Sequence, residues 1–343
     1  MSLLEVKDLK VGFQAVDGLV QAVRGLSFSV EPGRTLAIVG ESGSGKTVST
    51  QAILGLLPEA DISGTALFEG ADLLKLGEER LRQIRGAEIS MIFQDPLTSL
   101  HPLYKVGRQI AETIRVHDSG VGRAQARRRA VELLGLVGIP GPDRRVDDYP
   151  HQFPRGMRQR VMIAMALALN PKLVVADEPT TALDATVQAQ ILELITELQK
   201  QFGIALVLLT HDLGVVARVA DEVIVMYAGL PVERADRRTT YYRPHHPYTK
   251  GLLESIPGST GVRQGRLRPI PGRPPSVLAV PPGCAFHPRC EYAMPVCAAE
   301  RPPLGRVTGD GDHASACWLP HQAIGLGAEA EAVRLRVSGA ETR

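Results

Sequence analysis

The sequence predicts an α/β fold on a mostly parallel sheet, with an antiparallel β subdomain and a helical subdomain. Three observations carry this expectation. Up to about residue 240, short apolar runs alternate with helical stretches: RTLAIVG, EISMIFQ, KLVVADE, IALVLLTHD and EVIVMYAG. Near-continuous apolar strands of this kind suit a parallel sheet covered on both faces. The earlier segments LLEVKDLKVGF, VRGLSFSV and GTALFEG alternate apolar with polar residues and are bounded by glycine, the pattern of an antiparallel flap. Residues 105–170 read as helical, with RAQARRRAVELLGLVG as an amphipathic segment, and place the helical subdomain at about 96–170.

After residue 240 the composition shifts to proline and arginine. YYRPHHPYTKGLL and IPGSTGVRQGRLRPIPGRPPSV read as turns and extended chain more than as a packed element. The chain therefore divides into a main domain (1–255), a smaller C-terminal extension (256–322) and a flexible tail (323–343), with no internal repeat.

Composition narrows the function classes. A hydrophobic share of 44% over 343 residues supplies packed cores. Lys and Arg total 39 against 37 Asp and Glu, and a net charge of +2 gives no electrostatic reason to expect nucleic acid as a partner. Arg127, Arg128 and Arg129 accordingly read as a solvated helix face. The start, MSLLEVKDLK, lacks the apolar core of a secretory signal. The longest apolar runs, VMIAMALAL and IALVLL, fall short of the ~20 residues of a membrane span, so a cytoplasmic location is expected.

The strand RTLAIVG runs into GESGSGKT, which matches G-x-x-x-x-G-K-[ST]. In such a loop, Gly40, Glu41, Ser42, Gly43, Ser44 and Gly45 turn backbone N–H groups inward around phosphates. Lys46 reaches the β and γ oxygens, and the Thr47 hydroxyl can sit on Mg²⁺. A second buried strand, LVVADE, ends in Asp177 and Glu178. There Asp177 can hold Mg²⁺ and Glu178 can polarise an attacking water.

These two motifs stand in order with Gln94 in MIFQDP, the HQF…GMRQRV segment, the TALD turn at Thr181 to Asp184, and His211 in LTHD. In that order and spacing the chain resembles an ABC-type ATPase along essentially its whole length. The resemblance implies ATP as the nucleotide, Gln94 as the glutamine that ligates Mg²⁺ and senses a transmembrane partner, and His211 as the switch histidine on the γ-phosphate. It implies Asp184 in the turn that crosses to the opposite subunit, and makes Phe13 a candidate for stacking on adenine.

One motif departs from the family pattern. The segment that binds the γ-phosphate held by the opposite subunit is normally Leu-Ser-Gly-Gly-Gln, or Phe-Ser-Gly-Gly-Met in peptide importers. Here it reads Phe153-Pro154-Arg155-Gly156-Met157. Proline removes both the serine hydroxyl and a backbone donor. Arg155 puts a side chain where glycine lets the backbone approach phosphate, leaving Gly156 as the retained glycine. Two outcomes compete. Impaired hydrolysis at the composite site built from this segment is the expectation, because lost preorganised donors cost roughly 10²-fold or more in rate. Partial compensation by the Arg155 charge is the other.

RPHHPYTKGLL, GCAFHPRC, CAAERPPL and HASACWLP resemble the C-terminal extension of oligopeptide/dipeptide importer ATPases. Cys284, Cys290, Cys297 and Cys317 are separated by 5, 6 and 19 residues, unlike the tight pairs of zinc ribbons. The resemblance implies that they ligate a 4Fe-4S cluster; a structural Zn²⁺ site and free buried thiols are the alternatives. His287 and His313, near these cysteines, read as outer-sphere or surface groups.

The combined expectation is an ATP-hydrolysing subunit at the cytoplasmic face of the membrane that powers import of peptides or similar small solutes. Its expected partners are integral-membrane permeases, a second ABC ATPase subunit, favoured as a different chain with an intact signature, and indirectly an extracytoplasmic solute-binding protein. A soluble ABC ATPase acting on DNA or ribosomes, or a regulatory low-turnover subunit, is the alternative.

Overall fold

The computed structural model describes residues 2–15, 18–256, 269–307 and 311–319. The expected tail at 323–343 and the stretch PGSTGVRQGRLR, residues 257–268, lie outside the described residues. The chain divides into two compact units, Met1–Leu4 with Val30–Arg34 and Lys75–Leu209, and Glu5–Ser29 with Thr35–Leu74 and Thr210–Arg343.

In the first unit three of the expected apolar runs form parallel strands, Ile89–Ile92, Leu173–Asp177 and Ala205–Thr210. Leu173 lies opposite Ile89 on one side and Ala205 on the other. Every residue of Leu173–Asp177 and Ala205–Thr210 is buried, as continuous apolar runs demand. The helical segment is realised in Val106–His117, Arg123–Leu136 and Arg155–Ala166. Val106, Ile110 and Ile114 bury one face of the first, and Ala126, Ala130, Leu133 and Leu134 one face of the second. Arg160, on the third, donates from Nη1 to the Val137 carbonyl (2.7 Å), closing the end of Arg123–Leu136 with a cation at its negative pole.

In the second unit, Thr35–Val39 pairs in parallel with Glu222–Tyr227, which pairs antiparallel with Leu230–Asp236. Ala314–Ser315 adds to the far edge of Leu230–Asp236. The expected flap is a four-stranded sheet in the order Gly18–Val30, Leu4–Ala15, Ala60–Phe68, Ala71–Asp72, the last two antiparallel.

The segment YYRPHHPYTKGLL corrects the expectation of turns and extended chain, since residues Pro247–Glu254 form a helix. Pro247 breaks nothing because it stands at the first helical position, where no N–H is needed, and His246 caps the helix by accepting the Tyr248 N–H on Nδ1 (3.1 Å). Tyr248 is fully buried, with Tyr227 and Phe286 against it at ring separations of 4.7 and 5.3 Å. Aromatic residues thus knit the C-terminal region into the core that holds Val39 and Val225. No helix among the described residues is long and apolar enough to cross a membrane.

Candidate active site

The phosphate loop sits between the buried strand Thr35–Val39 and the helix Lys46–Ile53. Its glycines are demanded by space and by backbone conformation. A Cβ on Gly40 would lie 2.3 Å from the Met226 carbonyl oxygen, and one on Gly45 2.5 Å from that of Ala22, where φ is also +99°. Lys46, buried, donates from Nζ to the carbonyls of Gly40 (2.7 Å) and Glu41 (3.1 Å), which holds the ammonium inside the loop. Ser44 Oγ is buried with no hydrogen-bond partner among the described residues, and Thr47 is half-buried one residue beyond Lys46.

A Gly45→Ala substitution is expected to cost about 1–3 kcal/mol through the left-handed backbone and the Ala22 clash. It should appear as a lower melting temperature together with weaker binding of a fluorescent ATP analogue.

His211 is exposed in the turn after Ala205–Thr210, and the following Asp212 accepts the Gly214 N–H (2.7 Å) to start the next helix. Phe13 is half-buried in the strand Leu4–Ala15.

In the first unit, the strand Leu173–Asp177 delivers a buried Asp177 followed by Glu178. Glu178 has φ +44°, a left-handed conformation unfavourable for a residue with a Cβ and typical of functional turns. Its N–H donates to the Leu209 carbonyl (2.9 Å), and its carbonyl accepts the Thr181 N–H (3.1 Å). Its Oε2 accepts from Gln94 Nε2 (3.1 Å) and Thr181 Oγ1 (2.9 Å). The structure therefore brings the Gln94 amide and the Glu178 carboxylate together and adds Thr181. The sequence marks Thr181 only as the start of the TALD turn. Its signal is its place three residues after the carboxylate, where a hydroxyl on a tight turn folds back.

Phe153 is buried, Pro154 occupies the cap position of the helix Arg155–Ala166, and no side chain caps that helix. Pro154 and Arg155 are exposed. The retained Gly156 has a packing reason, since a Cβ there would lie 2.8 Å from Val187 Cγ1. Asp184 caps the helix Ala185–Phe202 by accepting the N–H groups of Thr186 (3.1 Å) and Val187 (3.0 Å).

Residues 23–181 match the family model for ABC transporters, and residues 232–297 that for the oligopeptide/dipeptide transporter C-terminal region. The chain is 52% identical over 322 residues to the oligopeptide transport ATP-binding protein OppD of Bacillus subtilis, covering 93% of this chain and 89% of that one. It belongs to the ABC transporter ATP-binding family. The dipeptide transport ATP-binding protein DppD of the same organism is 50% identical, with 93% of this chain and 95% of the relative covered. Among solved structures, the ATP-binding cassette MJ0796, as a dimer in a post-hydrolysis state bound to ADP and Pi, matches with a TM-score of 0.62. That match has 27% identity and covers 68% of this chain and 99% of that one. The chain is thus an ATPase of the ABC type, for which ATP and Mg²⁺ are the expected ligands.

In this ABC ATPase, Cys284, Cys290, Cys297 and Cys317 all line one pocket, with His246 and Phe286 in its wall. All four are free thiols. Gly283, at φ +66°, lets the chain pass close to Cys297, whose carbonyl accepts the Cys284 N–H (2.8 Å). Burial, with a lesser contribution from the neighbouring sulfurs, pushes the Cys290 and Cys317 thiols up to about 11. Among the described residues no three His, Cys, Asp or Glu side chains are grouped to close around one metal ion.

The two histidines differ from each other. His287 Nδ1 lies 2.9 Å from the Cys284 carbonyl oxygen. His313, rather than lying at the surface, is buried with Nε2 2.7 Å from Glu233 Oε1. Glu233 is itself fully buried and accepts the backbone N–H groups of His245 (2.6 Å) and His246 (3.0 Å). A buried carboxylate needs such partners, and the polar groups offered by the HHPY segment and His313 supply them.

Proposed function

We propose that this ATPase powers import of peptides or chemically similar small solutes, working at the cytoplasmic face of the membrane on permease subunits that receive solute from an extracytoplasmic binding protein. The observation that carries the catalytic part is the Glu178 carboxylate, held by Gln94 and Thr181 on a strained turn beside the buried Asp177. The cargo class rests on the relatives named for oligopeptide and dipeptide transport and on the matching C-terminal region. Those same relatives disfavour a soluble ATPase on DNA or ribosomes. The test is ATPase activity of the chain co-expressed with its neighbouring permeases in proteoliposomes. Stimulation by peptide plus binding protein supports the reading, and turnover indifferent to both overturns it.

In this reading 1–255 is the ATPase domain, with its helical subdomain at about 96–170, and 256–322 is the importer-type extension. Phe13 stacks on adenine. Gly40 to Thr47 cradle the phosphates, Thr47, Asp177 and Gln94 hold Mg²⁺, Glu178 polarises water, and His211 contacts the γ-phosphate. Gly156 and Asp184 act toward the opposite subunit. The intact Lys46, Glu178 and His211 become a competent site against a partner chain with a normal signature, which favours a heterodimer.

The four cysteines fit a 4Fe-4S cluster: all four line one pocket, and the Cys290 and Cys317 thiols, pushed up by burial, call for a strong positive charge if they are to be thiolates. Such a group would cross-link a proline-rich segment of little apolar content. Anaerobically purified protein is expected to be brown with broad visible absorbance, and Cys290→Ser to bleach it and loosen the extension before the ATPase core, read by absorbance and hydrogen exchange. Stoichiometric zinc without iron would replace the cluster by a zinc site.

A further inference from the structure

Glu41, the first variable residue of the phosphate loop, is held at every polar group. Its carbonyl accepts from Lys46 Nζ (3.1 Å) and from the Ser44 N–H (3.2 Å). Its N–H donates to the phenol oxygen of Tyr248 (2.9 Å). Its carboxylate takes a two-pronged pair from Arg289, Nη1 to Oε2 at 2.6 Å and Nη2 to Oε1 at 3.0 Å. The loop motif leaves this position open, so phosphate binding alone does not call for these contacts.

The residues that hold Glu41 are themselves fixed. Arg289 has a side chain only 5% exposed, donates from Nε to the Pro271 carbonyl (2.8 Å) and from Nη1 to the Tyr227 hydroxyl (3.2 Å). A guanidinium committed on all three nitrogens has a single orientation, so it fixes the carboxylate in the plane of its fork. Tyr248 is packed edge-on against Tyr227. Arg289 immediately precedes Cys290, and Tyr248 lies two residues after His246, so both clamps come from the chain that forms the four-cysteine pocket.

We propose that Arg289 and Tyr248 are positioning residues of the nucleotide site, through which the C-terminal region sets the conformation of the phosphate loop and hence the affinity for ATP. Neither belongs to the phosphate loop. They act through Glu41, whose carbonyl in turn places the Lys46 ammonium. The inference rests on Gly40 to Thr47 being the site that binds ATP.

The test is equilibrium binding of a fluorescent ATP analogue, with KM and kcat, for the full-length chain carrying Glu41→Gln, Arg289→Lys, both together, or Tyr248→Phe. Glu41→Gln and Arg289→Lys should each weaken nucleotide affinity and raise KM on the order of 10-fold, with kcat at saturating ATP changed far less. The double variant should be no worse than the weaker single, because one fork is lost either way. Tyr248→Phe, which keeps the ring packing and removes the acceptor, should give a smaller loss of the same kind. Lys46→Ala serves as the reference. If it abolishes binding while Glu41→Gln and Tyr248→Phe bind as the unmodified chain does, or if the two charge variants multiply in the double, the positioning role is overturned. If Lys46→Ala itself binds normally, the fault lies with the nucleotide-site reading instead.

Discussion

Glu178→Gln is expected to leave ATP binding intact and to slow hydrolysis by about 10²-fold or more. The amide is isosteric, and its oxygen can keep accepting from Gln94 Nε2 and Thr181 Oγ1, so the turn with φ +44° has no reason to relax. What is lost is the basic oxygen to which the proposed polarisation of water is assigned. Nucleotide then stays unhydrolysed, and the variant should accumulate as a closed, ATP-loaded dimer. Single-turnover phosphate release from the assembled transporter, with size-exclusion chromatography in ATP and Mg²⁺, measures both. Unchanged turnover would assign the catalytic carboxylate elsewhere. Thr181→Val should show a weaker form of the same defect, since it removes the hydroxyl that donates to the Glu178 carboxylate.

The second large effect concerns HQFPRGMRQR. Restoring Pro154→Ser with Arg155→Gly should raise turnover of the chain assayed alone, by an amount comparable to regaining oxyanion-type donors, roughly 2–4 kcal/mol of barrier. Alone, both sites of a homodimer would contain the altered segment, so the unmodified chain should be slow. The structure gives the reversion a local rationale. Pro154 stands at the cap of Arg155–Ala166 with no side chain to satisfy the first N–H groups, a place where serine caps well. Arg155 sets a cation at the positive end of the same helix. With a partner of normal signature, the site using this chain's Lys46 and Glu178 should turn over, while the partner's phosphate loop should retain ATP through many cycles. Rapid turnover of the unmodified chain alone, or a slower double reversion, would make Arg155 a working phosphate contact.

How far the molecule was legible in its sequence depended on chain distance. The phosphate loop reads directly because its glycines, Lys46 and Thr47 are consecutive and the steric need for Gly40 and Gly45 is local. The buried strand ending at Asp177 reads from composition, and Gln94 from its resemblance to a known motif. The helix Pro247–Glu254 did not read, because proline marks a break in most contexts and a favourable start in one, and the choice is made by the His246 cap and the burial of Tyr248. The Arg289 to Glu41 pair spans 248 residues. No periodicity or spacing connects two such positions, and only the packing of Tyr227, Tyr248 and Phe286 brings them together.

That packing also bears on how separable the C-terminal region is. A cut near residue 256 would strip Phe286 from the core around Tyr227 and Tyr248, leave the fully buried Glu233 without His313, and leave Glu41 without its guanidinium. What would remain is not a minimal cassette but a damaged one, with an open hydrophobic face and a carboxylate stranded in it. The region is consequently a poor candidate for transplantation between transporters as an independent cassette accessory. Exchange would be tolerated only when the interior tyrosines, Glu41 and Glu233 travel with it, which makes those residues, not the sequence junction, the true border of the module.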